Sequence, residues 1–596
     1  MTTAEASPND SANRARRWAW PTLAIVLLGG LGLRLWGVSQ GLPYAYNTDE
    51  IDHFVPHAVK MFTDGSLNPH YFANPPAFTY VLHYLFAIWY GGGAGARRAL
   101  ALHPAEVYTL ARVAAALLGT AALWLLYATG ARLLGRAAGL LAAAIEAVAF
   151  LPVFYAHLAL NDVPTLAPLT LSLLGSAGVL AKGRKRDYLL AGVGLGLACA
   201  SKYTAGVVLL PLLVAAGARS FGAASGVRDG GPDTGAANKR RVVVGLLAAG
   251  AVALAAFLLA NPYAALDYHA FHAELVHQST LSAEAQGKLG APKDGGLAYY
   301  LWSLTWGLGW APALAALGGA ILVWRSNRRL GLLLVPSTVL FLLFMGLQGR
   351  YFGRWLLPIF PLVCLLAAFF LVRAIEQTAR LRRLPSAGRA ALAGALVAGV
   401  LAQGLIYSVH SGRVLSRTDT RTQTRNWMVA NIPAGAKIVV EPIAPDEWAR
   451  EVRPGTSTAG NPYRWPKYPG LLPRVDAAGG LEAQPGPQVG IESYETTLAP
   501  ALVGYYEAHG YCWVISGSTQ SGRAFADARA VPRALAYYDT LARRGDVVYR
   551  ASPYVQGHGP VAFGFDWSFD YYPLAYSRPG PQMTIYKLRG GRCAKS

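Results

Sequence analysis

Two adjacent carboxylic acids, Asp49 and Glu50, stand in a polar segment that follows the first long apolar run of the chain. A general base must be an ionisable side chain placed where an acceptor hydroxyl can reach it, and a loop beside a membrane surface provides such a place. One carboxylate can take the proton of a nucleophile while its neighbour holds the site by hydrogen bonds. We therefore interpret Asp49 as the candidate base and Glu50 as its partner, the alternative being a pair of solvated loop charges.

Further polar side chains follow this pair and favour a functional segment. Asp52, His53 and His57 lie in a stretch that is otherwise half apolar, so we expect it to pack against the rest of the protein. The two histidines are four residues apart, but they lack the intervening glutamate of the zinc-protease pattern. We therefore predict no metal site from the histidines, and no cofactor is certain, although a divalent metal remains possible.

A third acid, Asp162, stands beside Asn161 at the outer end of the third predicted span. An isolated acid at the rim of a helical bundle is costly without a partner, so Asp162 is a candidate functional residue. The alternative is that Asn161 or Asp162 caps the helix that Pro164 opens.

Basic and aromatic residues occupy the outer ends of two other apolar runs, namely Lys202 with Tyr203, and Arg350 with Arg354. Such groups can hold a phosphate, since arginine makes bidentate contacts and lysine supplies a point charge. The alternative is an interfacial belt of aromatic and long basic side chains. That alternative explains two outer arginines less well, because basic residues usually collect on the inner side of a membrane.

The elements that must position these residues are apolar helices. Of the 596 residues, 53% are apolar and only 14% are charged, and the charged ones cluster between apolar runs of spanning length. We predict a polytopic α-helical membrane protein with about 11 transmembrane helices and a C-terminal extracytoplasmic mixed α/β domain. The predicted spans lie near 18–38, 105–130, 137–160, 163–181, 187–201, 204–218, 242–260, 297–323, 331–347, 353–372 and 390–409.

The loop charges orient this arrangement. Basic residues gather in the loops that the count leaves in the cytoplasm, as the positive-inside rule requires. The net charge of +21 therefore reflects topology and does not indicate nucleic-acid binding. We divide the chain into a cytoplasmic N-terminus (1–17), a transmembrane domain (18–410) with an outer loop at 40–104, and an extracytoplasmic domain (411–596), in a multi-pass protein of the cell membrane.

Two parts of the chain leave the count of spans open, and a Gly-rich loop requires an interpretation of its own. The apolar stretch 77–90 is short for a span, and counting it would invert every later loop, so we place it along the membrane surface. The runs 187–201 and 204–218 are interpreted as a pair around Lys202, because one tilted span would bury a lysine in hydrocarbon. The Gly-rich loop 219–241 is interpreted as a flexible cytoplasmic connection, since no strand precedes it as a phosphate-binding loop requires.

The C-terminal region differs in composition from the preceding part and has no run that can span a bilayer. The segments AKIVV, CWVIS and DVVYR predict strands, and RAFADARAVPRALAYYDTLARRG predicts helix between them. Cys512 and Cys593 both fall here and can form a disulfide if the domain is exported, the alternative being two unpaired thiols.

Several motifs, in their order along the spans, resemble the polyprenyl-phosphate-dependent glycosyltransferases of the protein O-mannosyltransferase and aminoarabinose transferase type, within the C-type glycosyltransferase superfamily. The resemblance covers roughly residues 18–440. The motifs are TDE at 48–50, NPPAFTYV at 74–81, ARVAAALLG at 111–119, HLALNDVP at 157–164, SKYTAG at 201–206 and RYFGRWLLPIFP at 350–361.

The resemblance implies roles for the candidate residues. The acid of the first outer loop that acts as base corresponds to Asp49, with Glu50 beside it, and a second acid corresponds to Asp162. The donor phosphate would be bound by Lys202, Tyr203, Arg350 and Arg354. The acceptor or the sugar would be bound by His53, Asn74 and Asn161.

Two departures qualify this resemblance. Asn74 stands where family members often have histidine before the Pro-Pro pair, so any role of that histidine is lost or replaced. The WWD signature of oligosaccharyltransferases is absent, which argues against transfer to asparagine.

The activity implied is transfer of one hexose or pentose, with inversion, from a polyprenyl-phosphate donor to an extracytoplasmic hydroxyl of a protein, glycolipid or polysaccharide. A transporter or flippase of lipid-linked saccharides is the main alternative, although it predicts ionisable residues near the bilayer midplane and an internal repeat. A receptor or scaffold with a membrane anchor ranks last, since eleven spans exceed what an anchor needs.

Overall fold

The computed structural model of the protein describes residues 8–222, 235–283, 289, 295–381, 383–452, 461–468, 473–475, 481–485, 491–561 and 572–595. Most of the Gly-rich connection predicted at 219–241 lies outside these ranges.

The first 415 residues are almost entirely helical where the structure describes them. The helices are α1 Pro8–Leu35, α2 Val55–Asp64, α3 Ala77–Trp89, α4 Gly93–Leu102, α5 Pro104–Leu133, α6 Arg136–Val148, α7 Phe150–Tyr155, α8 Leu166–Ala181, α9 Lys185–Ser201, α10 Leu209–Gly222, α11 Gly235–Ala260, α12 Tyr263–Leu266, α13 Tyr268–Ala283, α14 Gly296–Leu304, α15 Trp310–Ser326, α16 Arg328–Gly346, α17 Phe360–Ala379 and α18 Ser386–Leu415. Short 3-10 segments, Tyr203–Val208 and Gly353–Ile359, precede α10 and α17, and π-helical turns occur at Glu50–Phe54 and Thr305–Gly309.

Eight helical stretches of the described chain are long and apolar enough to cross a bilayer. They are Trp18–Leu35, Pro104–Leu133, Tyr203–Ser220, Asn238–Ala260, Gly296–Ser326, Arg328–Gly346, Gly353–Ala379 and Ser386–Asn431. The other three predicted spans, at 137–160, 163–181 and 187–201, are occupied by the shorter helices α6 to α9. A polytopic helical protein is thus confirmed, while the count of eleven stays a prediction.

The predicted span at 137–160 is not one helix, because it breaks after Val148. Ala149 has ψ of 131°, and a separate six-residue helix, α7, follows. Pro152 has no N–H to donate to the carbonyl of Val148, so a continuous helix would leave that carbonyl without its usual partner. The hydroxyl of Ser408, on α18, donates to this carbonyl at 2.8 Å. The broken backbone is therefore satisfied by a neighbouring helix.

The predicted pair of helices around Lys202 is confirmed. α9 ends at Ser201, Lys202 has an extended backbone with φ −155° and ψ 122°, and a 3-10 turn begins at Tyr203. This break projects the lysine from a junction between two helices instead of from the side of one.

The C-terminal domain is a mixed α/β fold, as predicted. It contains the helices α19 Thr420–Asn431, α20 Ala501–His509, α21 Ser518–Ala526 and α22 Pro532–Arg544, and the strands β1 Lys437–Val440, β2 Pro473–Val475, β3 Leu481–Pro485, β4 Tyr511–Gly517, β5 Gly545–Ala551 and β6 Met583–Leu588. The main sheet has the order β1-β4-β6-β5, with β1 parallel to β4 and the other pairs antiparallel. The three predicted strands are β1, β4 and β5, and the inner strand β6 was not predicted.

A disulfide joins Cys512, on β4, to Cys593 near the C-terminus, with their Cα atoms 5.3 Å apart. The last described residues are thereby attached to the sheet. This resolves the open choice in favour of the disulfide.

The segment predicted as the first outer loop, 40–104, which keeps that name below, packs directly on the C-terminal domain. Tyr46 shares a hydrogen bond of 3.0 Å with Thr422, and the guanidinium of Arg421 lies 3.8 Å from the centre of the Tyr46 ring. Tyr44 is buried among core residues of that domain. The domain therefore helps to place the segment that carries the acidic pair.

Candidate functional site

Asp49 lies directly before the π-helical turn Glu50–Phe54, and its carboxylate forms an ion pair with Arg354. Nε2 of His53 lies 3.9 Å from the other carboxylate oxygen. The Asp49 side chain is 38% exposed, so a reactant can reach it. The structure thus brings together two predicted site residues, Asp49 and Arg354, that lie near the beginning and near the end of the membrane part of the sequence.

Glu50 is placed very differently from Asp49, since its side chain is fully buried. Its two oxygens accept from Nε and Nη2 of Arg112 at 2.7 and 2.6 Å, and one also accepts from the backbone N–H of Ala159 at 2.8 Å. A carboxylate enclosed in this way cannot meet an acceptor hydroxyl. Its geometry is that of a group that fixes the backbone beside Asp49.

Arg112 extends this attachment to the end of the first span. Its Nη1 donates to the carbonyls of Val38 and Gln40 at 2.9 and 2.7 Å. The sequence interpretation did not single out Arg112. An arginine inside the apolar run 105–130 was an available signal, because a charge in such a run requires a buried partner.

The second acid, Asp162, forms an ion pair with Lys202, and both side chains are largely buried. Burial lowers the pKa of Lys202, whereas Asp162 raises it, and the charges of Arg354 and Asp49 are near enough to act on the same ammonium. The two acids and two cations therefore form one charged cluster. The sequence motifs that contain them are far apart along the chain.

The helix-cap alternative for this segment is wrong. α8 begins at Leu166, and neither Asn161 nor Asp162 is its N-cap residue, which is Thr165. Asn161 instead donates to the carbonyl of Ser201 at 2.6 Å. It thereby fixes the junction from which Lys202 projects.

An aromatic ring that the sequence interpretation missed, Tyr71, faces the same region. The imidazoles of His53 and His57 stack on it, with ring centres 4.7 and 5.0 Å away. The amide of Asn74 donates to its hydroxyl at 2.6 Å. Burial raises the pKa of Tyr71, and Asp49 raises it further. Two of the three residues predicted to bind acceptor or sugar thus converge on one neutral phenol.

Tyr203 acts on the backbone of the first outer loop. Its hydroxyl donates to the carbonyl of Phe72 at 2.9 Å, while Glu274, on α13, accepts from the N–H of Ala73 at 2.8 Å. The short segment after Tyr71 is therefore held from two sides.

Arg350 belongs to the segment that also carries Arg354. Its backbone N–H donates to the carbonyl of Ser282, the penultimate residue of α13, at 3.1 Å. The same helix, α13, thus contacts both the first outer loop and the arginine segment.

The cluster does not fit a divalent metal held by side chains. A catalytic zinc site takes about three protein ligands, and hard cations take several oxygens. Within the described ranges, no three His, Cys, Asp or Glu side chains come together to hold an ion. Asp49 and Asp162 instead each face a cationic side chain.

A cavity of about 1270 Å³ lies between the first outer loop and the C-terminal domain. Asn47, Thr48 and Asp52 form part of its wall on the loop side. Thr48 is the residue next to Asp49, so the cavity reaches the edge of the charged cluster. Burial raises the pKa of Asp52, and the neighbouring Asp49 adds to this, while His53 opposes it.

Comparison with known proteins agrees with this fold. Residues 105–223 match the model of the dolichyl-phosphate-mannose-protein mannosyltransferase family. The archaeal oligosaccharyltransferase AglB from Archaeoglobus fulgidus, solved with an inhibitory peptide and a dolichol-phosphate, is 14% identical with a TM-score of 0.52, covering 90% of this chain and 74% of AglB. ArnT from Cupriavidus metallidurans, bound to undecaprenyl phosphate, is 14% identical with a TM-score of 0.44, covering 74% of this chain and 84% of ArnT. No curated protein sequence matches significantly.

Proposed function

We propose that this protein is a glycosyltransferase of the C-type superfamily and moves one sugar, with inversion, from a polyprenyl-phosphate donor to an extracytoplasmic acceptor hydroxyl. The observation that carries the proposal is the cluster in which Asp49 faces Arg354 and Asp162 faces Lys202. It combines an accessible carboxylate with two cations, which are the groups needed to deprotonate an acceptor and to receive a phosphate.

Asp49 is assigned as the general base. The acceptor oxygen attacks the anomeric carbon from the face opposite the phosphate, and Asp49 takes its proton as the new C–O bond forms. The bond between that carbon and the phosphate oxygen breaks at the same time, and the electron pair leaves with the polyprenyl phosphate. Arg354 holds the Asp49 carboxylate in position before the acceptor arrives, through a charge-assisted hydrogen bond.

Lys202 and Arg354 are assigned to the donor phosphate. Both are largely buried, with side chains 13% and 14% exposed, so their charges act on a bound phosphate with little screening by water. A guanidinium has five N–H donors and can serve a carboxylate and a phosphate together. Asp162 orients Lys202, and Arg350 and Tyr203 complete the predicted phosphate-binding set.

The remaining site residues are assigned to positioning and sugar contact. Glu50 and Arg112 fix the backbone that presents Asp49, and Asn161 fixes the junction at Lys202. His53 and Asn74 contact Tyr71, which supplies a ring against which a sugar can pack.

The testing experiment is sugar transfer by the full-length protein in nanodiscs, with a panel of polyprenyl-phosphate sugars as donors and a membrane extract as acceptor. We expect Asp49→Asn to lower the transfer rate by about 10²–10⁴-fold, the range for loss of a general base. Asp64→Asn is the matched control. Asp64 ends α2 in the same outer loop, and its Oδ2 lies 4.0 Å from Nζ of Lys60.

The outcomes separate the alternatives. If the protein moves lipid-linked sugar between leaflets but transfers none, the flippase alternative replaces this proposal. If a folded Asp49→Asn protein still transfers sugar, the assignment of the protein as a transferase stands, but Asp49 is not its general base.

A further inference from the structure

The cavity beside the first outer loop is larger than a site for one small molecule needs. Its volume is about 1270 Å³, whereas pockets for drug-sized ligands span about 300–1,000 Å³. One wall is the outer loop at Thr48, and the opposite wall belongs to the C-terminal domain, including α21. An acceptor of several units can therefore extend from Thr48, the residue next to Asp49, along the domain.

Aromatic rings form the part of the wall that lies farther along the C-terminal domain. Tyr554 and Tyr576 stack at 5.1 Å with their planes 13° apart, and Tyr572 meets Tyr576 edge-on at 5.8 Å. Phe525, on α21, is 55% exposed. A ring of this kind supplies a broad apolar face, and tyrosine adds a polar tip. The C–H faces of a sugar ring can pack on the apolar face of an aromatic ring, and the sugar hydroxyls can hydrogen-bond to the polar tip of tyrosine.

Charged side chains line the same cavity. Asp52 and Glu447 offer carboxylate oxygens that accept from hydroxyls, and Arg550 offers N–H groups that donate to ring and hydroxyl oxygens. A lining of flat apolar surface with a few polar groups selects a ligand that is apolar on its faces and polar at its rim. Saccharides have this character along their whole length.

The described part of the wall offers little of the feature by which extended peptides are usually bound. Such peptides add a strand to an open sheet edge and are held by main-chain hydrogen bonds. Among the described residues that line the cavity, Arg550, on the edge strand β5, is the only one that belongs to a strand, and the others come from loops and helices. The cavity therefore meets the sheet edge at one residue and offers its occupant mainly side chains from loops and helices.

We propose that this cavity binds a saccharide acceptor, with Phe525 and Tyr554 against its sugar rings and Asp52 holding a hydroxyl next to the one that Asp49 deprotonates. The inference rests on the proposed function, since it names the acceptor class of that reaction. The chemistry is the displacement described above: the acceptor oxygen gains the anomeric carbon, its proton passes to Asp49, and the polyprenyl phosphate leaves.

The first test identifies the chemical class of the product. Full-length protein in nanodiscs is incubated with a donor labelled in its sugar and a cell-envelope extract, and the labelled product is treated with protease and then with alkali. We expect label in a protease-resistant glycan that alkali does not release. Label that alkali releases from serine or threonine would overturn this inference and leave the proposed transferase intact, whereas a donor that is never consumed would overturn the transferase itself.

The second test measures the acceptor contacts. We expect Phe525→Ala and Tyr554→Ala each to raise the extract concentration for half-maximal transfer about tenfold, with donor KM unchanged within about twofold, because each variant loses an apolar ring that contacts the acceptor. Tyr549→Ala is the matched control, since Tyr549 stacks on Trp427 and lies outside the cavity wall. Equal acceptor dependence in all three variants would overturn the assignment of the rings.

Discussion

The carboxylate of Asp49 and the guanidinium of Arg354 form an ion pair across 305 residues of sequence. The guanidinium also lies 5.9 Å from the ring centre of Tyr155 and 5.2 Å from that of Phe352. Its position is thus set by aromatic neighbours as well as by the acid. The proposed base and its cation are thus held together by the protein itself.

Arg354 is expected to be irreplaceable by lysine. Arg354→Lys keeps the charge but loses the planar fork that can contact Asp49 and a phosphate together. We expect kcat/KM to fall about 10²-fold or more, the scale for losing one hydrogen-bond donor aimed at the charge that develops on the leaving phosphate. The measurement is transfer in nanodiscs, with Arg373→Lys as control, because Arg373 is exposed and pairs only locally with Glu376. Near-normal transfer by Arg354→Lys would contradict the phosphate assignment.

Glu50 is expected to matter for stability, in contrast to Asp49. Glu50→Gln leaves the buried Arg112 without its countercharge, which costs roughly 3–5 kcal/mol when one partner of a buried pair is removed. We expect a clear fall in the thermal midpoint, while Asp49→Asn changes the midpoint little and activity greatly.

The double variant Glu50→Gln/Arg112→Met provides the check on this pair. It removes both charges. We therefore expect the fall in its thermal midpoint to be smaller than the falls of the two single variants added together, as for directly interacting residues. Strict additivity would contradict a direct pair.

The C-terminal domain is expected to lose stability as pH rises. Burial raises the pKa of both Glu441 and Glu495 to about 7, above the ordinary value of 4.5, although Arg523 opposes this at Glu495. The folded domain thus holds these protons more tightly than the unfolded chain, so stability falls between about pH 4.5 and 7 and stays low above that.

Hydrogen exchange of the β4 and β6 amides in the full-length protein measures this effect. After correction for the intrinsic pH dependence of exchange, protection should be greater at pH 5 than at pH 8, and Glu495→Gln should flatten the difference. Greater protection at pH 8 than at pH 5 would contradict the prediction that the buried carboxyls stabilise the domain in their protonated form.

The Cys512–Cys593 disulfide is expected to stabilise the same domain. It closes a loop of 81 residues, for which the chain-entropy model gives about 4–5 kcal/mol. Cys593→Ser should therefore lower protection of β4 in hydrogen exchange, with Cys199→Ser as a control thiol outside the domain. Unchanged protection would show that the bond does not constrain the unfolded domain.

Chelation is expected to leave transfer largely intact. Asp49 and Asp162 already face Arg354 and Lys202, so the site does not need a divalent ion to balance their charges. Transfer in EDTA should stay within about twofold of the untreated rate, a difference too small for loss of a catalytic metal. A large loss that added Mg²⁺, Mn²⁺ or Zn²⁺ restores would contradict this.

Features with a local signal were predictable from the sequence. Short alternating or apolar segments revealed β1, β4 and β5, and the change of composition near residue 410 revealed the second domain. The interruption within 137–160 was missed because apolar content was averaged over the run, although Pro152 marked it. The boundary placed at residue 411 differs slightly from the end of α18 at Leu415.

Pairings between distant segments were not predictable. Spacing identified Asp49, Asp162, Lys202 and Arg354 as candidates, but only packing shows which acid faces which cation. The difference between Glu50 and Asp49 arises from Arg112, 62 residues away, which encloses one carboxylate and leaves the other accessible. The cavity is likewise made by two parts of the chain that no local pattern connects.

The long separation between Asp49 and Arg354 also has a consequence for biosynthesis. Ribosomes add roughly 5–20 residues per second, so the 305 residues between the partners take roughly 15–60 seconds to make. Throughout that interval the outer loop is present without its cation, and the domain that Tyr46 packs on has not been synthesised either. The ion pair therefore forms only after Arg354 has been made, and the loop gains its packing partner only when the C-terminal domain follows.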